Sequence, residues 1–119
     1  KVTARRCANI LNRVFGGEEQ QIVRRSDYAG TLERLGRAVP KMQVLVDVFE
    51  DMVRGPGLQR ICAFLGIAPM AGDPALVHAG QPLEMTREQR RAAARWLAPQ
   101  YDAAERALGG LPQAWQREG

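Results

Sequence analysis

The chain has 119 residues, 45% of them apolar, and carries a formal net charge of +4 at neutral pH, which is the size of one domain, or part of one, with material for a core of its own. It holds no run of about 18 apolar residues and no charged start leading into an apolar stretch. The sequence therefore predicts neither a membrane span nor a secretory leader, and a cytoplasmic chain without a membrane partner. Cys7 and Cys62 stand far apart, outside any CxxC and away from the only histidine, His78, which leaves both a metal site and a disulfide without support.

Lys1 and Lys41 are the only lysines among 17 basic residues, so the positive charge is nearly all arginine, whose planar fork suits phosphate and sulfate. The arginines, among them Arg5, Arg6, Arg24, Arg25, Arg54, Arg87, Arg90 and Arg91, are scattered and not interleaved with aromatic residues. That pattern describes a solvated helix face and no nucleic-acid platform.

Val2, Ala8, Leu11, Val14 and Phe15 recur at helical spacing, and Gly16-Gly17 stops the helix. A second helix is expected from Ser26 or Asp27 through Leu32 and Leu35 to about Val39, ahead of Pro40. Residues 42 to 49, MQVLVDVF, are rich in β-branched side chains and predict one strand at about 42 to 48. Met42, Val44, Val46 and Val48 would occupy one face, with Leu45, Asp47 and Phe49 on the other, the pattern of a central parallel-sheet strand. A lone strand of this kind leaves backbone groups unpaired and needs a missing segment or a second copy of the chain beside it.

Beyond the Gly55-Pro56-Gly57 turn, Leu58, Ile61, Cys62 and Leu65 form one helical face closed by Gly66. Ile61 and Leu65 are expected to be buried against the strand and the terminal helix near Trp96, and Cys62 reads as a small core residue or, alternatively, a reactive thiol. Residues 68 to 85 carry three prolines and predict a long loop. Thr86 and Gln89 then have the spacing of a capping box, opening a helix that Pro99 must kink or split near Ala98. The helix resumes through Tyr101, Ala104 and Leu108, stops at Gly109-Gly110, and the closing LPQAW is an apolar hook able to fold back on the body.

No phosphate-binding GxxxxGK[ST], GxGxxG, HExxH or GxSxG is present. His78 has no nucleophile near it in sequence and reads as a surface loop residue. Asp47, a carboxylate in an apolar run, must either pair with an arginine or face a cleft as a catalytic group.

Taken in order, SDYAGTLERL (26 to 35), MQVLVDVFEDMVRGPGLQRICAFLGI (42 to 67), a proline-rich loop and MTREQRRAAARWLAPQYDAAERALGGLPQAW (85 to 115) resemble the C-terminal half of sulfotransferases. The likeness is to bacterial, carbohydrate-type members that use 3′-phosphoadenosine 5′-phosphosulfate. Their pattern is a YAxxLxRW helix, a strand ending in a [YF]EDL-type tetrapeptide, a helix ending FLGI and a long terminal helix. Leu35 stands for their tryptophan, Phe49 for the commoner tyrosine and Met52 for leucine, swaps that keep apolar bulk.

The resemblance implies an α/β, P-loop-like fold in the complete protein, to which this chain contributes a mostly helical part with one central-type strand. It implies sulfuryl transfer to a hydroxyl- or amine-bearing acceptor. The loop for the 5′-phosphosulfate and the catalytic base are not found in these residues, so no catalytic residue is assigned. Phe49 matches a position whose ring lies near the cofactor's adenine, with a core aromatic as the other reading, and the segment around His78, Ala79, Gly80 and Gln81 falls where the family closes over the cofactor. The alternative function is a non-catalytic, mostly helical interaction module.

Overall fold

The computed structural model describes residues 1–73 and 80–116. Among them are seven α-helices: α1 (Ala4–Phe15), α2 (Gln20–Arg25), α3 (Tyr28–Ala38), α4 (Phe49–Arg54), α5 (Gly57–Leu65), α6 (Arg87–Trp96) and α7 (Ala98–Leu108), with 3-10 turns at Lys41–Gln43 and Gln113–Trp115. No described helix is long and apolar enough to cross a membrane. The chain divides into two compact units, Lys1–Arg34 with Gly80–Gly119, and Leu35–Ala79.

In the first unit α1 and α6 run side by side in the same direction. Thr3 accepts the Arg6 N–H to open α1, which starts at Ala4 and so leaves Val2 outside the helix, and Thr86 with Gln89 forms the full capping box at the start of α6 that their spacing predicts. Gln89 Nε2 also donates to Ala4 O at 2.8 Å, and Val2 makes an isolated parallel bridge with Leu83, which ties the two N-terminal ends together. At the other end the rings of Phe15 and Trp96 meet with centroids 6.0 Å apart and tilted by 44°, a geometry favourable for aromatic pairs. Cys7 and Val14 are buried between these ends, and Ala103 and Ala104 are buried on α7. Pro99 does split the terminal helix: Leu97 closes α6 and at once caps α7, placing the proline in the first turn, where its missing N–H costs nothing.

The second unit departs from the sequence expectation of a strand at 42 to 48. Among the described residues there is no strand and no sheet: residues 41–43 form a 3-10 turn, residues 44–48 run outside any ladder, and Phe49 begins a helix. Val44 (φ −118°, ψ 122°) and Val48 (φ −100°, ψ 129°) do have strand-like dihedrals. A strand, however, is defined by its neighbour, and no other described segment pairs with this one. The α/β class with a central strand is thereby corrected to a helical chain. The two-sided burial expected of that strand is also corrected, because Val48 is buried and Val44 and Val46 half-buried whereas Leu45 and Phe49 are exposed.

Helices α4 and α5 pack through Gly57. A Cβ there would stand 2.7 Å from the Asp51 carbonyl carbon and 2.7 Å from the Met52 nitrogen, so only glycine allows this approach. Cys62, 2% exposed, fills the centre of the unit as a core residue. Gly66 ends α5 at φ +71°, as the sequence predicts. Leu65 is a second correction: it is 60% exposed, since it stands in the last turn of α5, and Trp96 has Phe15 as its ring partner.

Two glycine substitutions test this packing in opposite directions. Gly36→Ala in α3, where a Cβ meets nothing within 4 Å, is expected to stabilise the chain by about 0.5–1 kcal/mol. Gly57→Ala is expected to lower the melting temperature clearly. Chemical denaturation of the two variants beside the parent checks both signs, and a neutral Gly57→Ala would refute the close approach.

Candidate functional site

The residues singled out by sequence converge only in part. Phe49 is the first residue of α4, favoured as a helix start by Glu50 and Asp51 in the first turn, where carboxylates complement the helix dipole. Its ring is 66% exposed, so it is no core aromatic of these residues. It stands at an open cleft of about 300 Å³ in the second unit, lined also by Leu45, Asp47, Val48, Met52 and Ile61. Gly80 is exposed, with open space around it. His78 and Ala79 lie outside the described residues.

Asp47 has the arginine partner its setting demands. Arg60, thirteen residues on and carried by α5, closes a fork on it: Nε donates to Oδ2 at 2.9 Å and Nη2 to Oδ1 at 2.8 Å. Oδ1 also accepts the Val48 N–H at 2.8 Å, and Arg60 Nη2 reaches Asp51 Oδ2 at 3.3 Å. The side chain of Asp47 is only 14% exposed, against 46% for Arg60 and 55% for Asp51. The hydrogen bonds from Arg60 hold the Asp47 carboxyl below its ordinary value of 3.8, burial works against them, and the Val48 N–H adds to the lowering. An ionised carboxylate so fully bonded acts as a clamp between the 44–48 segment and α5. It is not a poised general base.

The cleft thus offers an aromatic ring, aliphatic walls and one neutralised carboxylate, with no cation among its lining residues. The sequence leaves Asp47 either paired with an unspecified arginine or facing a cleft as a catalytic group; the structure pairs it with Arg60 and also sets it in the cleft lining. The available signal was Arg60's place on the polar side of an otherwise apolar helix. Among the described residues no group of three or more histidine, cysteine or acidic side chains is placed to hold a metal ion. Comparison with protein-family models, with curated proteins and with solved structures gives no match.

The Asp47 clamp has a defined pH signature. Because its folded pKa is lowered, its contribution to stability is complete above pH 3.8 and is lost as the pH falls through the folded value. Thermal melts taken from neutral into acid pH should show the parent losing more stability over that window than Asp47→Asn, which has no carboxylate to titrate. Parallel curves for the two proteins would mean that the fork contributes nothing.

Proposed function

We propose that these residues form the C-terminal part of a cytoplasmic sulfotransferase that moves a sulfuryl group from 3′-phosphoadenosine 5′-phosphosulfate to a hydroxyl or amine acceptor. The reading begins from the order of sequence blocks between Ser26 and Trp115. The observation that carries it further is the position of Phe49, whose ring stands open at the lip of an apolar cleft. An exposed ring beside aliphatic walls can stack a purine, an interaction worth about 1–3 kcal/mol per base.

The cleft residues fit the adenine of the cofactor and do not fit its phosphates. Asp47 offers them no donor, and Arg60, the nearby cation, is already held by Asp47 and Asp51. This chain's part in the proposed reaction is therefore to hold the base. The groups that bind phosphosulfate and accept the acceptor's proton belong, on this reading, to a preceding segment of the same protein or to a second copy.

A second reading, a non-catalytic helical interaction module, has its own support. Met42, Phe49, Leu65 and Met70 of the second unit each expose more than half of their surface, and apolar surface of that kind is characteristic of a face that another body covers.

Calorimetry with 3′-phosphoadenosine 5′-phosphate separates the two. The 119 residues alone are expected to bind it weakly or not at all. A longer chain that includes the preceding part of the protein is expected to bind it, and Phe49→Ala in that longer chain should weaken binding by roughly 5- to 150-fold, the equivalent of about 1–3 kcal/mol. No binding by the longer protein would leave the interaction module standing, and tight binding by the short chain would overturn the proposed division of labour.

A further inference from the structure

A second cavity, of about 230 Å³, lies wholly within the first unit. Leu97, the cap of α7, and Gln100, Tyr101 and Ala104 within it recur at i, i+3, i+4 and i+7, so one face of this helix lines the cavity. Tyr28, the first residue of α3, also lines it, and Trp115 is brought in by the turn that follows Gly109-Gly110 and Pro112. We propose that this cavity is a binding site for a small, neutral, planar ring that carries a carbonyl or similar acceptor oxygen. The proposal does not depend on the sulfotransferase reading.

Three properties of the lining lead to that ligand. The first is charge: the chain has 17 basic and 13 acidic residues, yet none of the cavity's lining residues is ionisable near neutral pH. An ion entering it would lose hydration with no counter-charge to replace it, so a neutral guest is favoured. The second is shape. Both of the chain's tyrosines and one of its two tryptophans line it, and aromatic rings favour a flat guest through stacking or edge-to-face contact. Ala104, 5% exposed, is small and keeps the volume open. An apolar cavity of roughly 150 Å³ is enough to take up benzene, so this one has room for a single substituted ring.

The third property is Gln100. Its Oε1 accepts the Ala29 N–H at 2.8 Å, the service an N-cap side chain gives to the first turn of a helix, here performed from α7 for α3. Asp27 Oδ1 accepts the next N–H, that of Gly30, at 3.0 Å. The Ala29 bond fixes which end of the Gln100 amide is oxygen, and therefore where its NH₂ group is. That group has no protein partner among the described residues. A cavity-lining amide with its acceptor engaged and its donors free calls for a ligand with an acceptor.

Trp96→Phe preserves a ring beside Phe15 and leaves Trp115 as the only tryptophan, which makes its emission a direct readout of the cavity. Titration with benzamide is expected to give a saturable change. Benzoate and benzylammonium, which are charged, and cyclohexanecarboxamide, which is not planar, are each expected to bind about tenfold more weakly or worse. Gln100→Glu retains an oxygen for the Ala29 N–H and replaces the free donor by an acceptor. It should therefore keep the melting temperature and helical signal of the parent while weakening benzamide about tenfold. Ala104→Leu should abolish binding by filling the cavity. The proposal is overturned by an absence of any saturable response to benzamide, by equal binding of benzoate or cyclohexanecarboxamide, or by undiminished binding in either folded variant.

Discussion

The fork from Arg60 to Asp47 decides how the second unit is arranged. Side chains alternate along an extended segment, so fixing one of them fixes the rest. Once Asp47 is held by α5, Val46 and Val48 must turn to the opposite side, and Val48 is indeed buried while Leu45 and Phe49 face outward. Val48, the residue after the clamped carboxylate, caps α4, and Phe49, the first residue of that helix, lines the cleft. Desolvation offsets part of the attraction in a paired carboxylate of this kind. The fork's effect is on register: of the two ways the VLVDV run could present itself, only one keeps the charge partnered.

Small residues carry the packing that the fork does not. The deeply buried apolar positions among the described residues are Cys7, Val14, Val48, Cys62, Ala103 and Ala104, none of them large. Cores made this way gain from close backbone approach more than from interlocking side chains, as at Gly57 against Asp51 and Met52. Large apolar side chains are correspondingly left at the surface, Met42 and Phe49 most of all. In the first unit the aromatic residues divide the work: Phe15 and Trp96 close one end of the α1–α6 pair, whereas Tyr28, Tyr101 and Trp115 surround open space.

Stops and caps were the most legible features of the sequence. Gly66 and Gly109 end helices with positive φ, Thr86 and Gln89 form their box, and Pro99 splits the last helix. These signals are local, and a few neighbouring residues determine them. The strand was misread because β-branched residues record what a segment could do beside a partner and say nothing about whether one is present. Helices α2 and α4, six residues each, were missed because so short a run cannot display a 3.6-residue period. Leu65 continued the apolar spacing of Ile61 and Cys62 into the last turn, where periodicity persists but neighbours do not. For the candidate site, an arginine partner for Asp47 was one of two readings the sequence left open, and the identity of that partner was not legible. The unit-one cavity was invisible, since Tyr28, Gln100 and Trp115 become neighbours only through tertiary packing.

Composition invites a different inference, since a chain rich in arginine suggests an anionic ligand. Neither cavity supports it: one is lined by a ring, aliphatic side chains and a carboxylate, the other by three aromatic side chains, two aliphatic ones, the Gln100 amide and Ser26, and no arginine lines either. Arg60 is held by Asp47 and Asp51, and Arg13 is paired with Glu18 and Glu19. Positive charge spread over helix surfaces raises association rates with anionic bodies and favours solubility, but it does not build a pocket. The linings of these two cavities offer rings and single hydrogen-bonding groups in place of cations. If phosphate or sulfate chemistry belongs to this protein, the donors that perform it must be brought to Phe49 from outside the cleft that Phe49 borders.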